Sequence, residues 1–337
     1  MRKTNPPATA GGSDLTRGGS AGRLLSFCTE MRSPDRQAPE ADEGGRAYLF
    51  MLLSALAFAS MGAFSHLAGE RCDWHLVAVA RSSVAFLLTL LLSLLSGVRL
   101  VLLRPATLWM RSVAGSFGVL FAFYALTHLP ISTALTLSNT VPVWVTLLAW
   151  PVLGHRPVAS MWLAVAAGLA GIVLIQRPEA GGDRLAAMLA LANAMSTSVS
   201  MIGLNRLGGV VDPRAIVTHF SGVATVFTLL FLLPASGQID YAPLNEASTL
   251  ALLFGVGCAA TVGQLAMTKA FALGSPSRVS VVGLMQIVFA LVFDLLFWRR
   301  AFSPLVVLGI ALVIAPSAWL MLRNPLRRQT AAVHTTG

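Results

Sequence analysis

An all-α, polytopic membrane protein of ten transmembrane helices is the fold class this 337-residue sequence predicts, and three observations predict it. The chain is 55% hydrophobic and only 11% charged, with a mean hydropathy of +0.73, whereas a soluble domain carries about 25% charged residues. Its apolar residues come in long blocks, and a block of about 20 residues spans a bilayer. Ser, Thr, Asn and Gln recur at helical spacing inside several of those blocks, where only a protein-facing or water-facing position tolerates them.

The remaining composition narrows the function classes. Cys28, Cys72 and Cys258 stand far apart, without a CxxC or Cys/His pairing, so neither a disulfide framework nor a metal site is expected. The formal charge of +10 comes from Lys and Arg in tails and short loops. That distribution follows the positive-inside bias of membrane proteins rather than a nucleic-acid surface.

In chain order, residues 1–45 are rich in Gly, Ser, Pro and Arg and read as a disordered cytoplasmic tail. No apolar core lies near the start, so the first hydrophobic segment is expected to stay as an anchor. A start at Met31 is an alternative that would remove the first 30 residues. Spans follow at about 47–67, 75–96, 107–128, 131–152, 159–176, 185–205, 214–234, 248–270, 278–298 and 303–322. Backbone groups in hydrocarbon must be satisfied internally, so each is a helix. The longest interval, Pro234 to Ser248, reads as a surface loop, and residues 323–337 as a second cytoplasmic tail.

Ten spans put both termini on one side, and Lys/Arg placement chooses the cytoplasm. The N-terminal tail holds seven such residues; inner loops and helix ends, Arg111 among them, hold eight; the C-terminal tail holds three. The outer side has five: Arg71, Arg177, Arg184, Arg299 and Arg300. The expected location is the inner (plasma) membrane.

The two halves share a pattern. Phe123-Tyr124-Ala125-Leu126 leads through Leu129-Pro130 to a polar run, an apolar span with an internal Pro142, and the turn Gly154-His155-Arg156-Pro157. Lys269-Ala270-Phe271-Ala272-Leu273 leads through Ser275-Pro276 to another span and Trp298-Arg299-Arg300. An odd number of spans per copy forces opposite orientations, an inverted repeat of the kind that builds transporters. This doubled order resembles the EamA-type drug/metabolite transporter superfamily over about 46–322, with one five-helix repeat at 46–177 and another at 183–322. The resemblance implies a central cavity lined by the third, fourth, eighth and ninth spans. It also implies a Glu after Leu-Gly at each closing turn. His155 and Arg300 stand there instead, so no role for that Glu carries over.

Candidate pathway residues follow from position. Ser132, Thr136 and Asn139 share one face of the fourth span. Pro142 cannot donate to the carbonyl of Ser138, which frees that carbonyl and predicts a kink. Asn193, Ser196, Thr197 and Ser200 form a stripe in the sixth span, and Thr261, Gln264 and Thr268 another in the eighth. Helix–helix hydrogen bonding is the competing explanation for all three. Gly255, Ala259 and Gly263 form a small-residue strip for close contact. Arg81 lies roughly 10 Å into the second span at 1.5 Å per residue. It suits an anionic group or snorkelling to the outer headgroups, and the resemblance implies a buried structural or gating role. Gln286 and Asp294 are about 80° apart around the ninth span, so both reach one cavity; Asp294 is read either as a partner of Arg299 or Arg300 or as a proton carrier. Tyr124 and Trp144 line the cavity or anchor at the interface. His66 and His75 read as surface residues, and Lys269 as a helix-end charge.

The reading is a secondary-active carrier of a small organic metabolite or drug-like solute, working by alternating access. No GxxxxGK[ST] is present, so a proton or counter-solute gradient is the expected drive. The expected partners are that small-molecule substrate and the lipid bilayer, with no nucleic acid, cofactor or metal, and a homodimer stays open. An intramembrane enzyme is the rival, set aside on the reading that no His pairs with the intramembrane Ser and Thr. A non-transporting scaffold or receptor is the other, and it needs no polar stripes.

Overall fold

The computed structural model describes residues 41–129, 131–153, 157–176, 183–298 and 303–334, and every regular element among them is helical. The helices are α1 (Ala41–Gly69), α2 (Trp74–Leu95), α3 (Ala106–His128), α4 (Ile131–Ser138), α5 (Val141–Leu153) and α6 (Ala159–Gln176). After them come α7 (Arg184–Leu207), α8 (Pro213–Ala235), α9 (Ala247–Leu273), α10 (Pro276–Gly283), α11 (Met285–Trp298) and α12 (Pro304–His334). Seven stretches are long and apolar enough to cross a membrane, counting Ala134–Val152 and Pro276–Phe293 each as one. Ala106–Ala122, Ala159–Ile175 and Pro304–Leu320 are shorter apolar helices. Large apolar side chains such as Leu87, Leu95, Leu163 and Leu233 are exposed on the outside, which a bilayer suits and water does not.

Local chemistry sets the starts. Asp73, Asp183 and Asp212 each accept from the backbone N–H two residues on, satisfying a donor the first turn leaves free. Proline opens α8 at Pro213 and α10 at Pro276, where its missing N–H costs nothing. Asn205 Nδ2 closes α9 by donating to the carbonyls of Phe271 (2.7 Å) and Gly274 (3.1 Å).

Several expectations change in detail. The single fourth span is a broken pair: α4 stops at Ser138, Asn139-Thr140 form a turn, and Pro142 sits in the first turn of α5. The proline therefore starts a helix instead of kinking one. The ninth span is broken too, with Leu284 between α10 and α11 and no proline at the break. The first helix begins at Ala41, inside the expected tail, and α12 runs on to His334. The Pro234–Ser248 interval contains two short 3-10 turns and buries Ile239. His75 is partly buried, with its ring 2.6 Å from Asp73 at the mouth of α2. His155, Arg156, Arg299 and Arg300, and the side chains of Ser132 and Asp294, lie outside the described residues, as do residues 1–40.

Packing is led by the pairs α1–α9, α3–α7, α2–α8 and α6–α12. Small residues allow the closest approaches. A Cβ on Gly263 would stand 2.9 Å from Phe58, and one on Gly257 would stand 2.3 Å from Val84. Ser54 Oγ donates to the Gly263 carbonyl at 2.9 Å, so the expected small-residue strip of α9 is a real helix contact.

Candidate functional site

The helices α2, α3, α8 and α9 converge on a set of polar side chains deep in the bundle. At its centre is Arg111, only 1% exposed. It stands one and a half turns inside α3, so it is no helix-end charge of the kind the topology count assumed. Its Nη2 donates to Gln264 Oε1 on α9 at 3.0 Å. Its guanidinium lies 3.7 Å above the centre of the Phe220 ring on α8. Nε and Nη1 have no hydrogen-bond acceptor.

The local sequence makes room for this arginine. Ser200 on α7 donates to the Arg111 carbonyl at 3.0 Å, and Ser196 donates to that of Ala114 at 2.7 Å, drawing α7 onto α3. A Cβ on Gly115 would stand 2.8 Å from the Phe220 ring, too close without a shift, and one on Gly203 would stand 3.1 Å from the Arg111 Cβ, a tight contact. The serine stripe of the sixth span thus holds helices together and sets the arginine's position.

Beside this pair opens a narrow cleft lined by Arg81, Ser82 and Ala85 of α2, Phe220, Ser221 and Ala224 of α8, and Ala260 and Gln264 of α9. It has room for about one water. Arg81 is half-buried there, and its Nε donates to the thioether of Met61 on α1 at 3.3 Å. Phe220 and Gln264 thus line the cleft with Arg81 and also hold Arg111.

On the neighbouring residues of α3 and α8, Ser112 Oγ lies 2.8 Å from His219 Nδ1, and Trp109 meets the His219 ring edge-on at 4.7 Å between centroids. This corrects the reading that no intramembrane histidine pairs with a serine. The pair still lacks what nucleophilic catalysis needs. Ser112 is 0% exposed, leaving no space for a substrate carbonyl, and among the described residues no carboxylate orients His219.

Of the other expected residues, Gln264 and Arg81 belong to the site. Asn139 Nδ2 donates to the Leu135 carbonyl of its own helix at 2.8 Å. Trp144 donates to Thr140 at 3.3 Å, within the α4–α5 break. Tyr124 stacks on His128 at 4.0 Å beside a small cluster of alanines and leucines, and Thr136 is partly buried. Asn193 is buried and accepts from Thr197 at 3.2 Å; both face Gly118 of α3, a packing position. Thr261 and Thr268 bond back to carbonyls of α9 itself. Gln286 is exposed at the start of α11, away from the cleft. Lys269 is exposed with its Nζ 5.2 Å from the Phe50 ring centre. The arrangement can bind and orient a polar group; among the described residues no cluster of His, Cys, Asp or Glu could hold a metal.

The model of the EamA-like transporter family matches the chain twice, over residues 45–177 and 184–322. The chain belongs to the EamA-like transporter family. Among this EamA protein's relatives, the pseudopaline exporter CntI of Pseudomonas aeruginosa strain UCBPP-PA14 is 27% identical over 79% of this chain and 92% of its own. The riboflavin transporter of Rhizobium johnstonii is 27% identical over 83% and 92%. The human solute carrier family 35 member G1 is 22% identical over 89% and 85%. A crystal structure of another protein superposes with a TM-score of 0.71 at 19% identity, covering 85% of this chain and 99% of that one, and so shares the fold. This EamA protein is a multi-pass membrane transporter of small solutes.

Proposed function

We propose that the protein is a secondary-active carrier of a small organic solute, working by alternating access between two inverted five-helix halves at the inner membrane. The observation that carries this reading is the polar set of the buried Arg111 and Gln264 with the half-buried Arg81, drawn from α2 and α3 of one half and α9 of the other. Such groups are expensive at membrane depth and are kept where a solute or ion needs them. Counting each broken pair as one span gives ten. Exchanging the first five spans for the second five then carries the α1–α9 pair onto α7–α3, and maps α2–α8 and α6–α12 onto themselves. The α4–α5 break meets the α10–α11 break under the same exchange. Interrupted helices at corresponding places of two halves are a recurring pointer to a transporter's central site.

Both termini are read as cytoplasmic. Removing Arg111 from the inner charges leaves the Lys/Arg excess on the same side. The names of two relatives, a pseudopaline exporter and a riboflavin transporter, support small organic molecules as the substrate class; a proton or counter-solute gradient is the drive this reading adds. Purified protein in liposomes, loaded and assayed against a panel of metabolites, tests the reading. Flux of at least one solute, reduced about tenfold or more by Gln264→Leu, supports it, that being the scale of one buried polar contact. No flux across the panel in protein that is folded by size-exclusion chromatography overturns it.

A further inference from the structure

Arg111 is buried beyond the reach of bulk water, yet two of its three nitrogens lack an acceptor. A guanidinium offers five N–H donors in a planar fork, and a glutamine carbonyl and a phenyl face satisfy only part of it. Nearly all buried polar groups find partners, so an unsatisfied one calls for an explanation. Arg81 lines the cleft with Phe220 and Gln264, the two residues that hold Arg111, and adds a second positive charge there. Its hydrogen-bond acceptor is a thioether, a weak one that is easily exchanged. Among the described residues the ion pairs are His66–Glu70 and His75–Asp73, both at helix ends, and no carboxylate reaches either arginine. The neighbours in the cleft, Ser82, Ser221 and Gln264, are neutral. A cationic solute would be repelled here, and a neutral one would leave two positive charges uncompensated.

We propose that Arg81 and Arg111 together bind the oxyanion, a carboxylate or phosphate, of an acidic solute in the cleft between α2, α8 and α9. The inference deepens the transport reading and rests on it. A carboxylate or phosphate presents oxygens at the spacing of the guanidinium fork, and charge-assisted pairs of this kind are about twice as strong as neutral ones. Phe220 holds the Arg111 plane in a fixed orientation and Gln264 orients its far edge. The oxyanion accepts from Nη1, one of the two unpartnered nitrogens of Arg111, and replaces Met61 as the acceptor for Arg81. The cleft has room for about one water, so entry of a solute moves Arg81 and widens the gap between α2 and α9.

The test uses the full chain in detergent micelles, titrated with inorganic phosphate and with succinate. Sodium chloride at matched ionic strength and the neutral dimethyl succinate are the controls. Saturable thermal stabilisation by phosphate or succinate, beyond both controls, is the expected result, and which of the two acts names the oxyanion. The apparent affinity should fall about tenfold or more in Arg81→Gln and in Arg111→Gln, with part retained in Arg111→Lys. If Arg111→Gln does not fold, Arg81→Gln, at a half-buried position, decides. No saturable effect of either oxyanion, or one unchanged in the Gln variants, overturns the proposal. In liposomes, flux of neutral or cationic solutes that ignores both arginine variants removes the anion site and leaves transport standing. Oxyanion binding without any flux does the reverse.

Discussion

At the scale of single residues, Arg111 and Gln264 depend on each other. The carbonyl oxygen of Gln264 is the acceptor that Arg111 has, so Gln264→Leu leaves the third nitrogen of a buried cation unpaired as well. A hydrogen bond to a charged group contributes about 1.5–3 kcal/mol, and the variant should melt several degrees below the parent in a detergent thermal-shift assay. An unchanged melting temperature would mean that the contact is not made in the folded protein. Cys72, between α1 and α2, gives a pH-dependent reading. Burial first, then the neighbouring Asp73 carboxylate, push its thiol above the ordinary cysteine range. The reactive species is the thiolate. In a Cys28→Ser, Cys258→Ser background, maleimide labelling of Cys72 should therefore be slow at neutral pH. The rate should keep rising beyond about pH 8.5, where a free thiol is half ionised. Asp73→Asn, which removes the second cause, should speed labelling; a rate matching free cysteine in the parent would contradict the burial seen here.

Individual helices meet most closely where glycine removes the side chain. At the α6–α12 crossing a Cβ on Gly171 would stand 2.6 Å from the carbonyl oxygen of Gly309, and one on Gly309 would stand 2.8 Å from that of Gly171. Backbone cannot step aside as a side chain can. Gly171→Ala should therefore destabilise by about 1–3 kcal/mol, the scale of overpacking. Gly62 in α1 has nothing within 4 Å of the same added atom. There Gly→Ala should stabilise by about 0.5–1 kcal/mol, because alanine loses less backbone entropy in a helix. The opposite signs, read from melting temperatures of the two variants, test the packing independently of helix propensity. Equal shifts would mean that α6 and α12 do not cross at these glycines.

For the whole molecule, the proposed ten spans make a simple topological demand. A fluorescent or alkaline phosphatase reporter fused before Met1 must report the same compartment as one fused after Gly337, and that compartment should be the cytoplasm. An odd number of crossings would place the two on opposite sides. A reporter inserted at Glu70-Arg71, between α1 and α2, should report the other side. The exposed apolar surface that surrounds the bundle also predicts that the protein stays in the membrane fraction after a high-salt wash, since that wash screens charges and leaves apolar burial intact.

By itself the sequence determined that the chain is a helical membrane protein, roughly where its helices lie, and which family it resembles. Those properties rest on the length of apolar blocks and on repeated order, and both are local in the chain. Gln264 and Arg81 were legible as candidates because a polar group within an apolar block stands out whatever surrounds it. Only the tertiary structure decided what each polar group does. Asn139 and Thr261 sit as deep in their blocks as Gln264 but bond back to the carbonyls four residues before them, a choice made by side-chain direction rather than by spacing. Arg111 reads from sequence as a helix-end charge because it is six residues into α3, and position along one helix cannot reveal how the neighbours cover it. Burial by Gln264 from 153 residues away and by Phe220 is what makes it the centre of the site. His219 was passed over for the same reason, its partner Ser112 being 107 residues distant. The two helix breaks complete the contrast. Pro142 announced one of them, while the other, at Leu284, has no proline to mark it.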